Sequence, residues 1–347
     1  MTKLRCAVVG TGGWAETHLR AYQRCAHVEP VALVGHANAD RLAALAQRYG
    51  IPHQGLDLAQ VVAATDAEMV DLACNPHYRL EGVRAALAPS VRLINLEKPM
   101  ALTPGDAYEI ERLCRTEGKL LTVNHQKKYL PAWRQVQALI EAGELGELRY
   151  LRATCQGNLL EQGTHLVDMA LFYNGYRPIE WVLGQIDGLE GLDKPGASAP
   201  DAALAEIAFA DGVRATLTIG TVGHHVPGET NKWHHFAIEA YGSAGHAVVT
   251  LNRYLEVVRY ADGRTTRAAS SWDQGYVQAV ADHLDDAALY AQDPARGHIS
   301  SLERSLASFQ AVMAIYASGC GDGIVRLPRR FDDGLLDRLA QRRAAQG

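Results

Sequence analysis

Three groups of residues in this 347-residue chain have the types and spacings that chemistry requires. Gly10-Thr11-Gly12-Gly13-Trp14-Ala15 is a Gly-x-Gly-x-x-Ala loop. In such a loop the first glycine permits a tight turn, the second lets backbone amides approach a pyrophosphate, and the alanine lets the following helix lie close to a sheet. Lys98, within Glu97-Lys98-Pro99-Met100, follows an apolar run and opens a proline-stiffened loop. A lysine there serves as acid, base or hydrogen-bond donor, or is an ordinary solvated residue. Glu161, His165 and Asp168 are four and three residues apart, which predicts one shared helix face. A carboxylate on one ring nitrogen would fix the tautomer of His165 and leave the other nitrogen for a substrate. The same pattern also suits two acids supporting a helix start beside a semi-buried histidine.

The elements that must carry these residues follow from periodicity. Leu4–Val9, Pro30–Gly35, Met69–Ala73, Val91–Asn95 and Leu120–Val123 are apolar on both faces, as parallel strands covered by helices are. Helix signals lie between them: Trp14–Cys25, Asn38 before Ala39–Tyr49, Asn75-Pro76 before His77–Leu87, and Thr103-Pro104 before Gly105–Thr116. The alternation predicts α/β architecture, a doubly wound parallel Rossmann sheet over residues 1–123. Beyond it the period drops to two. Ala205–Phe209, a turn at Asp211-Gly212 and Val213–Ile219 predict a hairpin, and Leu148–Thr154, Phe236–Tyr241 and Tyr254–Tyr260 predict further strands. With helices at Gln162–Tyr173, Asp273–Tyr290 and Ser301–Ser318, residues 124–330 read as an α+β domain with a large open, mostly antiparallel sheet. Residues 331–347 read as a C-terminal helix, and Gly188–Pro200 as a loop. The uncovered face of the open sheet is expected to pair subunits as a homodimer or homotetramer.

The acid expected about 20 residues after the glycine loop, where it would bond the adenosine ribose, is missing. Strand two ends in Gly35-His36-Ala37-Asn38. His36 or Asn38 can bond ribose hydroxyls, and Arg41 can reach a 2′-phosphate. Alternatively Asn38 is only a helix cap and Arg41 a solvated residue, so NAD and NADP are both open. Asn75-Pro76-His77 follows strand four at the same sheet edge, near the nicotinamide end. Trp233 and Trp14 are candidates for a pocket wall or for packing.

A formal charge of −5, with Lys and Arg scattered singly, excludes nucleic acid and anionic membrane as main partners. Ser305–Gly321 has one apolar stripe and reads as a packed helix, and the short apolar run at the start is not expected to act as a signal peptide. Six cysteines without a Cys-x-x-Cys pair predict small buried hydrophobes in a reducing cytoplasm. His224-His225 and His234-His235 are adjacent pairs that each offer one ligand to a common site, so no metal is expected.

Taken together these residues resemble the glucose-fructose oxidoreductase/inositol dehydrogenase (Gfo/Idh/MocA) family. The likeness spans nearly the whole chain and rests on the glycine loop with His18 after it, Asn75-Pro76-His77 and Glu97-Lys98-Pro99-Met100. It extends through Val123-Asn-His-Gln-Lys-Lys128-Tyr-Leu-Pro131, Gly163-x-His165-x-x-Asp168 and the late paired helices ending in Ile324–Pro328. The resemblance implies an NAD- or NADP-dependent oxidoreductase acting on a sugar, cyclitol or related polyol. Lys98 would be the catalytic lysine and His165 the acid/base, with Glu161 where many members carry Asp. Around Lys98 and His165 substrate contacts are expected from His125, Gln126, Lys128, Tyr129 and Gln162, with Trp233 as the candidate pocket wall. Lys128 stands where arginine is common, which fits a neutral polyol better than a carboxylate. A glycoside-cleaving relative that oxidises its sugar transiently is the alternative. A non-catalytic dinucleotide sensor is a third reading, against which the intact Lys98 and His165 argue.

Overall fold

A computed structural model of the protein describes residues 3–36, 38–193 and 198–345. Ala37, residues 194–197 of the expected Gly188–Pro200 loop, and the last two residues of the expected C-terminal helix lie outside the described residues. Two compact units form, Met1–Gln126 with Tyr276–Leu306 and Lys127–Gly275 with Ala307–Gly347. The expected stretch 124–330 is therefore not one body, because 276–306 returns to the first unit.

In the first unit, β1 (Leu4–Val9), α1 (Gly13–Tyr22), β2 (Val28–Val34), α2 (Ala39–Tyr49) and β3 (His53–Gly55) lead into α3 (Leu58–Thr65) and β4 (Met69–Leu72). Then come α4 (Arg79–Ala85), β5 (Leu93–Glu97), α5 (Pro104–Thr116) and β6 (Leu120–Asn124). The strands form a six-stranded sheet, ordered β3-β2-β1-β4-β5-β6 and parallel throughout. Side-chain caps set the helix starts: Asn38 Oδ1 accepts the Arg41 N–H, and Thr103 Oγ1 accepts that of Asp106 with Pro104 in the first turn. The helix expected from His77 is a 3-10 turn, Pro76–Tyr78, followed by the shorter α4. A core of Leu4, Cys6, Val8, Leu19, Leu33 and Met69 is closed by Val277, Val280, Leu284 and Ala288 from the returning segment. Asp285 anchors that segment by accepting the N–H groups of Ala26 and His27, each at 2.8 Å.

The second unit begins with α6 (Pro131–Glu141), β7 (Leu148–Cys155), α7 (Thr164–Tyr173), β8 (Ile179–Asp187), β9 (Ala202–Phe209) and β10 (Arg214–Gly220). β11 (Phe236–Gly242), β12 (Gly245–Thr250), β13 (Tyr254–Arg259) and β14 (Thr265–Ala269) follow. α8 (Trp272–Gln292) and α9 (Leu302–Ala317) are the helices along which the chain passes between units, and β15 (Val325–Arg326) and α10 (Gly334–Ala344) complete it. The nine strands order as β14-β13-β12-β11-β7-β10-β9-β8-β15, antiparallel except for the β10–β7 pair. One face packs on α7, all of whose residues are buried, and on the end of α9, where Ile315 fills the space a side chain would need at Gly184. The opposite face carries a row that register places side by side: Leu183, Glu206, Thr216, Arg152, Glu239, Val248, Glu256 and Arg267. Leu183 and Leu204 are exposed on it.

Four cysteines are buried and all six are free thiols, but Cys74 and Cys320 are only half-buried rather than core residues. No helix among the described residues is long and apolar enough to cross a membrane.

Candidate active site

The glycine loop leaves β1 and enters α1 as its spacing demands. Gly10 has φ +130, and a Cβ there would lie 2.5 Å from the Ala73 carbonyl oxygen, so only glycine fits. Gly12 is the N-cap of α1 with no side-chain cap, and both Gly12 and Gly13 face open space. The first-turn amides therefore have room for an anion, the arrangement a pyrophosphate needs. Trp14 stacks on Tyr276 with ring centroids 6.5 Å apart. Arg41 is more than a solvated residue: its guanidinium donates to the Thr11 carbonyl within the loop and to Glu16 at 3.3 Å. Glu16 also takes Arg48 at 2.6 Å and the Tyr49 hydroxyl at 3.3 Å. The Asn38 side chain serves as a cap, and His36 is exposed with its ring 5.6 Å from that of Tyr78. Asn75 likewise caps its own turn by accepting the His77 N–H at 3.0 Å.

Glu97 is the last residue of β5, which starts and ends two residues later than expected, and Lys98 is the first beyond it. Lys98 is half-buried, whereas Glu97 turns inward. One oxygen of Glu97 accepts the Lys98 main-chain N–H at 3.2 Å, and the other takes His18 Nε2 at 3.0 Å and Asn124 Nδ2 at 2.5 Å. The second nitrogen of His18, Nδ1, lies 2.7 Å from Asp71, which also accepts from Tyr22 at 3.0 Å and Asn95 at 2.8 Å. Thr122 and the returning His283 close the network on Asn95 Oδ1, each at 2.8 Å. Register builds this cluster, since Asp71, Asn95 and Thr122 are direct neighbours across β4, β5 and β6, as are Glu97 and Asn124. Burial alone would push the His18 pKa down, but the charges and hydrogen bonds of Asp71 and Glu97 prevail and lift it to about 10. Burial would likewise raise the Glu97 carboxyl, yet the His18 bond and the charges of His18 and Lys98 hold it below its ordinary value. Arg79, fully buried, braces the neighbouring loops by donating to the carbonyls of Leu72 at 2.7 Å, Cys74 at 2.8 Å and Pro99 at 3.5 Å.

In the second unit, Glu161 sits in a π-helical turn, Leu159–Gly163, and His165 and Asp168 in α7, so the four-residue step from 161 to 165 is not a plain α-helical one. Asp168 pairs with Lys128 at 2.9 Å, both fully buried, and Lys128 also donates to Tyr176 at 2.8 Å. Asp168, one of the two carboxylates expected on the face of His165, is thus paired with a lysine. Gln162 and Trp233 are brought together around Gly157, where a Cβ would lie 2.8 Å from one and 2.9 Å from the other. Lys127, which the sequence did not single out, donates to Gln162 at 2.8 Å and lies 4.4 Å from the Phe236 ring centroid. His125, Gln126, Tyr129 and His165 are all buried. His225 and His235 contact each other at 3.2 Å. Among the described residues no group of three or more His, Cys, Asp or Glu is arranged to hold a metal ion.

The residues missed by sequence reasoning are Asp71, Asn95, Asn124, Arg79 and Lys127. A signal existed for the first two: each is a polar residue set among apolar ones inside a central strand, where an unpaired side chain would be costly.

Residues 4–125 match the family model described as Oxidoreductase family, NAD-binding Rossmann fold, of the GFO_IDH_MocA group. A 4-carboxy-2-hydroxymuconate-6-semialdehyde dehydrogenase from Sphingobium sp. is 28% identical over 142 residues, 41% of this chain and 44% of that protein. A D-apiose dehydrogenase from Paraburkholderia graminis is 30% identical over 144 residues, 42% of this chain and 38% of the relative. The chain thus spans less than half the length of these two relatives. A levoglucosan dehydrogenase solved with NADH and levoglucosan superposes with a TM-score of 0.80 at 20% identity, covering 94% of this chain and 100% of that one, which is a likeness of fold. Residues 4–125, which hold the glycine loop, the six-stranded parallel sheet and Lys98 at the end of β5, are thus similar to the NAD-binding Rossmann fold of the Gfo/Idh/MocA oxidoreductases.

Proposed function

We propose that the protein is an NAD(P)-dependent dehydrogenase or reductase that interconverts a carbinol and a carbonyl on a sugar, cyclitol or related polyol. The observation that carries this reading is Lys98, fixed by its own main chain to the Glu97 carboxylate at the carboxyl end of a central strand, the edge where open α/β sheets bind ligands. The uncapped start of α1 and the open space at Gly12 and Gly13 suit a dinucleotide pyrophosphate. When bound, the nicotinamide accepts the two electrons and hydrogen leaving the carbinol carbon. His165 takes the hydroxyl proton and Lys98 holds the oxygen by hydrogen bonding, so that charge does not build up on it. Lys128 does not supply a mobile cation for an acidic substrate, since its charge is committed to Asp168, and this favours a neutral polyol. The D-apiose and levoglucosan dehydrogenases among the similar proteins support a sugar, whereas the 4-carboxy-2-hydroxymuconate-6-semialdehyde dehydrogenase is named for a carboxylated substrate.

The same reading assigns the enzyme to the cytoplasm, where free thiols persist. It pairs subunits through the open face of the nine-stranded sheet, where Leu183 and Leu204 stand exposed.

The test is a panel of D-apiose, levoglucosan, myo-inositol, glucose and aryl glucosides with NAD+ and NADP+, followed by absorbance of the reduced nucleotide. Stoichiometric nucleotide reduction by a sugar or inositol is expected. Release of the aryl alcohol without net reduced nucleotide would replace this reading with the glycoside-cleaving one, and no turnover with any member would remove its substrate class.

A further inference from the structure

We propose that His18 is a positioning residue for Lys98, acting through Glu97. This inference rests on the assignment of Lys98 made above. Both ring nitrogens of His18 face carboxylate oxygens, Asp71 at 2.7 Å and Glu97 at 3.0 Å. A neutral imidazole has a single N–H and can donate to only one of them, so serving both requires the imidazolium. That charge binds one oxygen of Glu97, Asn124 holds the same oxygen, and the other accepts the Lys98 N–H. Because Glu97 and Lys98 are consecutive, a turn of the carboxylate displaces the lysine directly. Arg79 holds the far side of the same loop through the Pro99 carbonyl.

The groups facing His18 are few: Asp71 from β4, Glu97 from β5, Asn124 from β6, and the edge of Trp14 from α1, with ring centroids 6.5 Å apart. Tyr22 and Asn95 reach the ring only through Asp71, Cys6 through Tyr22, and His283 through Asn95. Lys98 and the buried Arg79 are further charges that act on Glu97, and Arg79 acts on Asp71 as well. Burying such a charged cluster rarely improves stability over an apolar core of the same volume. Its placement directly beneath the loop of Lys98 gives it a use that packing would not.

The experiment uses the full chain with His18→Gln, Lys98→Ala and the double variant, assayed on the panel sugar that turns over fastest, alongside NADH binding by fluorescence. His18→Gln is expected to lower kcat about 10- to 100-fold, the cost of a misplaced catalytic group, with NADH affinity and KM within about threefold. The double variant should be no slower than Lys98→Ala alone, because His18 acts only through that residue. An unchanged kcat in His18→Gln, or losses that multiply in the double variant, would overturn the proposal. If Lys98→Ala itself turns over normally, the assignment of Lys98 fails, a result distinct from a normal His18→Gln beside an impaired Lys98→Ala. Should His18→Gln not fold, nitrogen NMR of the wild-type protein decides: among its 14 histidines, a ring protonated on both nitrogens at about pH 8 is expected, and its absence overturns the proposal.

Discussion

A lysine on a loop is commonplace, and what distinguishes Lys98 is the carboxylate that grips its main chain and the imidazolium that grips that carboxylate. Its partner in the proposed chemistry is different in kind. His165 is buried on a helix whose every residue is buried, next to a lysine–aspartate pair that already consumes Asp168. If His165 moves a proton, replacing it with a residue of similar size that cannot do so removes general catalysis without disturbing packing. His165→Asn should therefore lower kcat roughly 10²- to 10⁴-fold and abolish one limb of the pH–rate profile, with NADH affinity retained. A pH–rate profile identical to that of the wild type would show that the proton goes elsewhere. At this scale the glycine loop was legible, because its spacing sets it between β1 and α1, whereas the roles of Lys98 and His165 come from the family resemblance and stand as proposals. The ion pair of Lys128 with Asp168 was not, since the two residues lie 40 positions apart and meet only through the folding of α7.

At the scale of elements, Gly10 and Gly12 of the glycine loop do different work. Gly10 is required by the fold, since its backbone is left-handed and Ala73 blocks a side chain, whereas Gly12 is extended and faces open space. Gly12→Val should accordingly leave thermal stability within about 0.5 kcal/mol, as for a tolerated surface change, while weakening NADH binding at least tenfold by filling the place of the pyrophosphate. Equal NADH affinity in this variant would show that the nucleotide lies elsewhere. Long apolar or alternating runs such as β1, β6, β7 and β11 were readable from periodicity. β3 was not, because its three residues are polar and largely exposed at a sheet edge, and β14 is exposed along its whole length. β8 hid its alternation behind Gly184, whose inward space is filled by Ile315 from far along the chain. α3 spans only eight residues and was passed over despite its Asp57 cap.

For the whole molecule, the return of residues 276–306 to the first unit is the feature least visible in sequence, because α8 and α9 read as continuous amphipathic helices with no break at the crossing. Once returned, this segment supplies both core side chains and His283 to the polar cluster. That cluster also sets a pH dependence. His18 titrates at about 10 when folded against an ordinary 6.5, so its stabilising contribution is complete below pH 6.5 and is lost as the pH rises towards 10. Melting temperatures measured across that window should fall more steeply for the wild type than for His18→Gln, and parallel curves would contradict a buried imidazolium. The central claim, that a sugar-oxidising enzyme works through Lys98, is tested most directly by comparing sugar-dependent nucleotide reduction and NADH binding in the wild type and Lys98→Ala. The account predicts turnover lowered at least about 10²-fold with NADH still bound at near wild-type affinity. Wild-type turnover in Lys98→Ala would contradict it.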